Sequence, residues 1–248
     1  MKDFFTYKNY KNFLKHMQNI SKITTLANWS GGNCIILRHD VDFDIKAAYN
    51  LSQIEKRYGI ESTYFIRITG PYYNPLFKEN RKMLGEMAND NFELGLHFDP
   101  TVYNTKFDDD LKEKAEFEVK VLESITLHEV ESISLHNPSV HGQYLLFDGY
   151  KNGYDTRIFS DDSYLSDSRM SFRGKDPYEF VKNAKNRPVQ ITLHPIHYSE
   201  DGGNYLDIFT DYFSDLINNF DKRLRINSTY SSLIANEKLI DYLCKKKT

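Results

Sequence analysis

The chain has 248 residues and a formal net charge of −3, so it offers no general attraction to nucleic acid or to an anionic membrane surface. Its first residues lack the apolar core of a signal peptide, and no stretch approaches the roughly 20 apolar residues of a transmembrane helix. We therefore expect a cytoplasmic protein without membrane insertion or nucleic-acid partners. The two cysteines, Cys34 and Cys244, do not suggest a disulfide framework.

Helix-like and strand-like segments alternate along the chain. In chain order, the hydrophobic pattern predicts a helix over 7–20, a strand over 35–37, a helix over 45–58, a strand over 62–66, a helix over 76–89, a strand over 92–96, a helix over 108–127, strands over 133–135 and 189–193, and a helix over 205–220. Strands separated by helices favour an α/β fold with a parallel sheet or a barrel of βα units. Because no Pro-, Ser- or Gly-rich linker divides the chain, we predict a single domain over 1–248. It would have a helical extension over about 1–30 and closing helices over about 205–245.

The first long strand ends in closely spaced carboxylates, in the sequence ILRHDVDFD. Side chains two apart in an extended segment share a face and lie roughly 6–7 Å apart, so Asp40 and Asp42 should converge on one small volume. Like charges held that close repel each other, and a bound cation or a shared proton usually relieves the repulsion. The alternative is a capped turn that leads into the next helix.

Four predicted strands are each followed by a histidine or aspartate. These residues are His39 and Asp40, His97, His136, and His194. In βα folds the carboxyl ends of the strands form the working face, because the loops there assemble the pocket. A single histidine at such a position is more often a hydrogen-bonded core or loop residue. Four at equivalent positions indicate a metal or acid–base site.

Further motifs carry a family resemblance. Tyr58–Phe65 reads YGIESTYF, and Glu93–His97 and Leu193–His194 read ELGLH and LH. With the aspartate-ended strand, these motifs resemble polysaccharide deacetylases, the NodB-homology group of carbohydrate esterase family four, over roughly residues 33–198. The likeness is strongest to a branch written RHDVD, whose members commonly occur in surface-polysaccharide gene clusters. The resemblance implies a deformed (β/α) barrel, a divalent metal and hydrolytic removal of an acyl group.

The resemblance also implies catalytic roles for three residues. Asp40 matches the family's general base, which activates water. His194 matches the histidine of the closing Leu-His motif, which protonates the leaving group. Asp167 resembles the acidic partner that orients this histidine.

The metal ligands follow the family pattern only in part. Val41 occupies the position adjacent to the base where the family has its metal-binding aspartate, so Asp42 is the expected substitute. His97 matches the first histidine of the H-x-x-x-H motif, but the second position is Thr101. Asp99 and His136 are the candidates for the third ligand. His136 is preferred, because imidazole suits a zinc-like ion and a strand end faces the pocket.

The arginine that steadies the base in the family normally follows the middle strand, where this chain has His136-Asn137-Pro138. Arg169 or Arg38 would take over that role. We also expect Arg169, Arg38 and Asn137 to be substrate contacts. His197 is expected at the rim of the pocket, and His16, His128 and His141 at surface or loop positions.

The sequence thus predicts a metal-dependent hydrolase that removes an acyl group, N-acetyl by preference, from a nucleotide- or lipid-linked sugar of surface-polysaccharide biosynthesis. Zinc is the expected metal, with cobalt, nickel and manganese as alternatives. Two other functions stay open at this point: a metal amidohydrolase acting on a non-sugar C–N bond, and an inactive carbohydrate-binding homologue. The sequence leaves the oligomeric state open.

Overall fold

A parallel sheet with helices packed around it positions the candidate site. The computed structural model describes residues 2–105, 107–138, 142 and 144–246. Within these residues the strands are β1 (Ile23–Thr24), β2 (Ile35–Val41), β3 (Thr63–Ile66), β4 (Glu93–Phe98), β5 (Ser132–Leu135), β6 (Lys151–Asn152), β7 (Tyr164–Ser166) and β8 (Val189–Leu193). They form one sheet in the order β6-β5-β4-β3-β2-β8-β7, with β1 also paired to β2. The pairings are parallel, and the predicted deformed (β/α) barrel is confirmed.

Helices connect most of these strands and bury their apolar faces against them. They are α1 (Tyr7–Ile20), α2 (Ile45–Arg57), α3 (Lys78–Asn89), α4 (Asp108–Thr126) and α5 (Pro177–Phe180). One apolar cluster joins α3 and α4 to the strands and includes the fully buried Leu84 and Leu122. A second cluster packs Phe13 and Leu14 of α1 against β2 and β8. The core therefore holds the strands in place from two sides.

The chain divides into two compact units, Asp3–Gly202 and the residues from Gly203 onward. The second unit contains α6 (Tyr205–Leu224), α7 (Ser228–Ile234) and α8 (Leu239–Lys245). A capping box begins α6, in which Asn204 accepts hydrogen bonds from the backbone N–H groups of Leu206 and Asp207. Tyr230 donates to Asp221 at 2.8 Å and so ties α7 to α6. The extent of the single domain stays a prediction.

No helix in the described part of the chain combines the length and the apolar composition needed to cross a bilayer. The longest, α6, has 20 residues, but charged side chains are spread along it.

Strand β2 is longer than the apolar pattern predicts. It continues past Leu37 to Val41, and all seven of its residues are buried. The polar residues of this extension are buried as partners of other groups: Arg38 pairs with Asp40, and His39 pairs with Glu55 at 2.6 Å. Because successive side chains of a strand point to opposite faces, Arg38 and Asp40 share one face and His39 lies on the other.

Glu55 of α2 is the centre of a buried hydrogen-bond network behind β2. Its carboxylate accepts from Ser62 Oγ at 2.6 Å and from the Tyr64 hydroxyl at 2.9 Å. The Tyr10 hydroxyl also donates to it, and His39 Nε2 lies 2.6 Å away. This network accounts for His39, which therefore has a structural partner and does not face the pocket.

We expect Glu55→Leu to lower the free energy of unfolding by about 3 kcal/mol or more, because it leaves several buried polar groups without their shared acceptor. Urea unfolding followed by circular dichroism measures this change. Glu113→Gln on the exposed face of α4 is the matched control and should stay within about 0.5 kcal/mol. A Glu55→Leu protein as stable as the wild type would contradict the role given to the network.

Candidate metal and catalytic site

Three side chains from separate strand ends meet at one point. Asp42 follows β2, His97 lies in β4, and His136 follows β5. Asp42 Oδ1 lies 3.1 Å from His136 Nδ1 and 3.2 Å from His97 Nε2, and the two imidazole nitrogens are 3.4 Å apart. Although Asp42 Oδ1 is buried, it accepts no hydrogen bond of good geometry from any described residue. We call Asp42, His97 and His136 the ligand triangle.

The ligand triangle fits a divalent ion of the zinc type. Bonds of about 2.0–2.1 Å in a tetrahedral arrangement place ligand atoms about 3.3 Å apart, which matches the observed separations of 3.1–3.4 Å. Burial lowers the pKa of His97, although nearby carboxylates oppose that effect, and a neutral imidazole has a lone pair to offer. Burial acts to raise the pKa of Asp42, but His136 and His97 hold it well below its usual range. Both results leave the side chains in their ligating forms.

Asp99, the other candidate for the third ligand, lies in a different set of contacts. One of its oxygens accepts from Arg67 Nη2 at 2.5 Å. The other accepts from the backbone N–H of Thr101 at 3.0 Å and from its hydroxyl at 2.6 Å. Asp99 therefore caps the turn Pro100–Val102, and the structure brings His136, not Asp99, to Asp42 and His97. Thr101 does not take the place of the missing histidine, because its side chain serves this turn.

Asp40 lies beside the ligand triangle and is held by Arg38. The guanidinium donates from Nε to Asp40 Oδ1 at 2.7 Å and from Nη2 to Oδ2 at 2.9 Å. Burial acts to raise the pKa of Asp40, but Arg38 outweighs it and holds the pKa below its ordinary value. Asp40 Oδ2 is 3.8 Å from His97 Nε2. An ionised carboxylate is thus fixed next to the ligand triangle.

Arg38 is fully buried, so its position does not suit the predicted substrate contact. It also donates to the carbonyl of Gly153 at 3.2 Å and to Ser134 Oγ. A Cβ atom at Gly153 would lie 2.8 Å from Arg38 Nη1, so the glycine permits this close approach. Of the two arginines that the sequence offers for steadying the base, Arg38 is the one at Asp40.

The remaining predicted contacts divide between the pocket and the surface. Asn137 lines the pocket, and its Nδ2 lies 2.9 Å from His136 Nε2. Arg169 is exposed and is not among the described residues that line the pocket. His141 lies outside the described residues.

His194, which follows β8, and Asp167, which follows β7, form a hydrogen-bonded pair. His194 Nδ1 lies 2.6 Å from Asp167 Oδ1, and the backbone N–H of His194 donates to the same carboxylate at 3.0 Å. Burial acts to lower the pKa of His194, but the Asp167 carboxylate outweighs it and raises the pKa to about 9. The free nitrogen, Nε2, lies 3.7 Å from Asp42 Oδ2. A protonated imidazole therefore lies next to the ligand triangle.

His197 shares Asp167 with His194. Its Nδ1 lies 3.2 Å from Asp167 Oδ2, and its ring packs edge-on against Phe5. Asp167, His194 and His197 also lie close enough together to hold an ion. The 2.6 Å separation of His194 and Asp167 is a hydrogen-bond distance, so we interpret the group as a hydrogen-bonded triad. The sequence signal for His197 was its spacing of three from His194, which a 3₁₀ turn places on one side.

A pocket of about 540 Å³ opens over Asp40, Asp42 and His194. Aromatic side chains that sequence patterns did not single out form part of its wall, namely Tyr144, Tyr154, Phe159, Tyr164 and Phe172. The rings of Tyr154 and Phe159 pack edge-on with their centroids 4.8 Å apart, and the centroids of Phe159 and Tyr164 are 4.9 Å apart. A pocket of this size accommodates more than one sugar ring, and aromatic faces suit the apolar faces of sugars.

Fold and site together define a (β/α) barrel protein with a candidate metal centre, a buried carboxylate and an imidazole at the carboxyl ends of its strands. No sequence family and no curated protein matches the chain. Solved structures do. The chain is similar to the chitin deacetylase of the fungal pathogen Colletotrichum lindemuthianum, with a TM-score of 0.48, 14% identity, and 77% of this chain and 86% of that one covered.

Two further structures are named as family 4 carbohydrate esterases. The chain is similar to PdaA of Bacillus subtilis, with a TM-score of 0.44 and 14% identity over 83% of this chain and 82% of that one. It is also similar to a mutant, with restored activity, of a pseudoenzyme of Bacillus anthracis, with a TM-score of 0.42 and 12% identity over 75% of this chain. The chain spans 62% of the length of that pseudoenzyme. These structures are of the group that the sequence resembles.

Proposed function

We propose that this chain is a divalent-metal-dependent hydrolase that removes an acyl group, N-acetyl by preference, from a sugar. The observation that carries the proposal is the ligand triangle with an ionised carboxylate and a protonated imidazole within 4 Å of its side chains. Hydrolysis of an amide needs an activated water, a stabilised oxyanion and a proton for the departing amine. The site offers a group for each need.

Asp42, His97 and His136 would hold the metal ion, and their N₂O donor set suits zinc. When bound, such an ion supplies Lewis acidity, which lowers the pKa of water to about 7 and polarises an acyl carbonyl. Asp40 then accepts the proton of the attacking water. Arg38 keeps Asp40 ionised and fixes both of its oxygens, so the base does not rotate away from its position.

His194 supplies the proton that the leaving amine requires. Asp167 holds the Nδ1 side of the ring, so Nε2 points towards Asp42 and is the nitrogen that donates. Because the Asp167 carboxylate raises the pKa of His194 to about 9, the imidazolium form is present at neutral pH. His197 holds the second oxygen of Asp167 and limits its rotation.

A sugar substrate is supported by the aromatic wall of the pocket and by the family resemblance. We further propose a precursor of a surface polysaccharide, nucleotide- or lipid-linked, as the substrate of this site. The test is hydrolysis of acetylated and formylated nucleotide sugars by protein loaded with zinc, cobalt, nickel or manganese. Release of acetate or formate only with metal supports the proposal, and no release from any sugar would contradict it.

An inactive carbohydrate-binding protein is the alternative that Thr101 raises. The ligand triangle argues against it, because His136 supplies the third ligand that position 101 lacks. Metal content separates the two: a protein that retains no divalent ion after dialysis favours the inactive alternative. A metal amidohydrolase acting on a non-sugar C–N bond would bind metal but leave every acetylated sugar intact.

We expect His194→Ala to lower kcat for an amide substrate about 10²–10⁴-fold without releasing metal, because general acid catalysis contributes that much. The value of kcat for an activated aryl ester should fall less, since the leaving group of that ester needs no proton. Equal losses for amide and ester would contradict the role as acid.

Asp167→Asn should move the alkaline limb of the pH–rate profile to lower pH. The Asp167 carboxylate raises the pKa of His194, so removing its charge lets that pKa fall, and the imidazolium is lost at lower pH. The profile of kcat against pH measures the shift. If the alkaline limb does not move, it reports the titration of a group other than His194.

A further inference from the structure

Two cations line the substrate pocket without a carboxylate partner. Arg173 and Lys175 belong to the pocket wall, and neither forms an ion pair with a described residue within 4.0 Å. Two cations outside the pocket, by contrast, are paired: Lys182 with Glu179 at 2.7 Å, and Arg187 with Asp162 at 3.0 Å. No described carboxylate therefore neutralises the two cations of the pocket wall through an ion pair.

The fold holds both cations at the pocket. Arg173 Nη2 donates to Ser168 Oγ at 3.1 Å, and its backbone N–H donates to Ser171 Oγ at 3.1 Å. The φ angle of Arg173 is 52°, a left-handed conformation that costs a non-glycine residue energy. Lys175 Nζ donates to the carbonyl of Asp161 at 2.6 Å and lies over the Phe180 ring. Each cation keeps hydrogen-bond donors to spare, since Arg has five and Lys has three.

The remaining charges of the pocket do not neutralise this pair. Asp40 is paired with Arg38, and Asp42 belongs to the ligand triangle. Asp161 is the one further carboxylate among the described lining residues, against the two cations Arg173 and Lys175. The pocket away from the ligand triangle therefore carries excess positive charge and favours an anionic ligand group.

We propose that the substrate carries an anionic group, a phosphate or a carboxylate, which Arg173 and Lys175 bind while the acyl group lies at the ligand triangle. This inference rests on the proposed function and names the substrate class of the same site: an acylated sugar with a negative charge. Arg173, with its planar fork of donors, forms the directional contact, and Lys175 adds a point charge. Both act as specificity determinants and take no part in bond cleavage.

The test is calorimetric binding of three probes to zinc-loaded protein: glucose, glucose 1-phosphate and glucuronic acid. None has an acyl group that could be removed during the measurement. We expect a charged probe to bind more tightly than glucose, and increasing salt to reduce that preference. Arg173→Gln should lower the affinity for the charged probe about tenfold, and Lys175→Gln should lower it by a smaller factor. The affinity for glucose should stay within twofold of the wild type in both variants. Asp161→Asn should have the opposite effect and raise the affinity for the charged probe, because it removes a negative charge from the pocket.

Lys182→Gln and Arg187→Gln are the matched controls, because these cations are paired and lie outside the pocket. The charged probe whose affinity falls more in Arg173→Gln shows whether the site prefers phosphate or carboxylate. Either result supports the inference. Charged probes that bind no tighter than glucose, or that bind equally to wild type and both variants, overturn it.

Hydrolysis of a neutral acetylated sugar by the same proteins separates this inference from the proposed function. If that sugar is hydrolysed but binding shows no preference for charge, the inference fails and the function stands. If no acetylated sugar is hydrolysed but the preference exists and is lost in Arg173→Gln, the function fails and the anion site stands.

Discussion

His136→Ala is expected to abolish tight binding of the divalent ion and, with it, nearly all turnover. His136 provides one of three ligand atoms that lie 3.1–3.4 Å apart, so its loss leaves only those of Asp42 and His97. Loss of a mere outer-shell partner costs about 10–100-fold in metal affinity, and loss of a ligand should exceed that range. Elemental analysis after reconstitution should give close to one ion per chain for the wild type and far less for His136→Ala, Asp42→Asn and His97→Ala.

Asp99→Asn is the matched control for this prediction. Asp99 was the second candidate from the sequence, after His136, but it pairs with Arg67 and caps a turn. Its variant should therefore keep the metal within a few-fold of the wild type. Metal loss in Asp99→Asn together with retention in His136→Ala would exchange the two assignments.

Asp40→Asn should show the reverse pattern, with metal retained and kcat lowered about 10²–10⁴-fold, the usual contribution of a general base. Asparagine keeps the shape of the side chain but cannot accept the proton of the attacking water. Asp162→Asn, at an exposed carboxylate outside the pocket, is the control and should leave kcat unchanged. Single-turnover kinetics and metal analysis on the same sample measure both effects.

This variant also leaves Arg38 buried with a weaker partner, so its thermal unfolding has to be measured alongside. A folded, metal-loaded Asp40→Asn protein with normal turnover would rule out Asp40 as the base. Equal metal loss in Asp40→Asn and Asp42→Asn would mean that the two carboxylates coordinate together.

The sequence predicted the four strands that carry the site because their signal is local, although β2 and β4 run on past their predicted ends, to Val41 and Phe98. The positions of β2, β4, β5 and β8 follow from short apolar runs, and a parallel sheet brings their carboxyl ends to one edge. Asp40 and Asp42 converge because of the two-residue period of a strand. The spacing of Arg38 and Asp40, also two, was a sequence signal for their ion pair, although it did not exclude Arg169.

Contacts between distant segments could be decided only by the tertiary structure. His136 rather than Asp99 joins Asp42 and His97, because Arg67 and Thr101 occupy the Asp99 carboxylate. Tyr144, Phe159, Arg173 and Lys175 of the pocket wall come from loops between β5 and α5, where the sequence shows no hydrophobic period that would place them.

By itself, then, the amino-acid sequence determined the alternation of strands and helices and the polar residues at the strand ends, since both depend on neighbours a few residues away. The choice of ligand, the partner of the base and the charge of the pocket depend on distances between side chains far apart in the chain. Those distances are set by how β2, β4, β5 and β8 pair in the sheet, and this packing exists only in the folded protein.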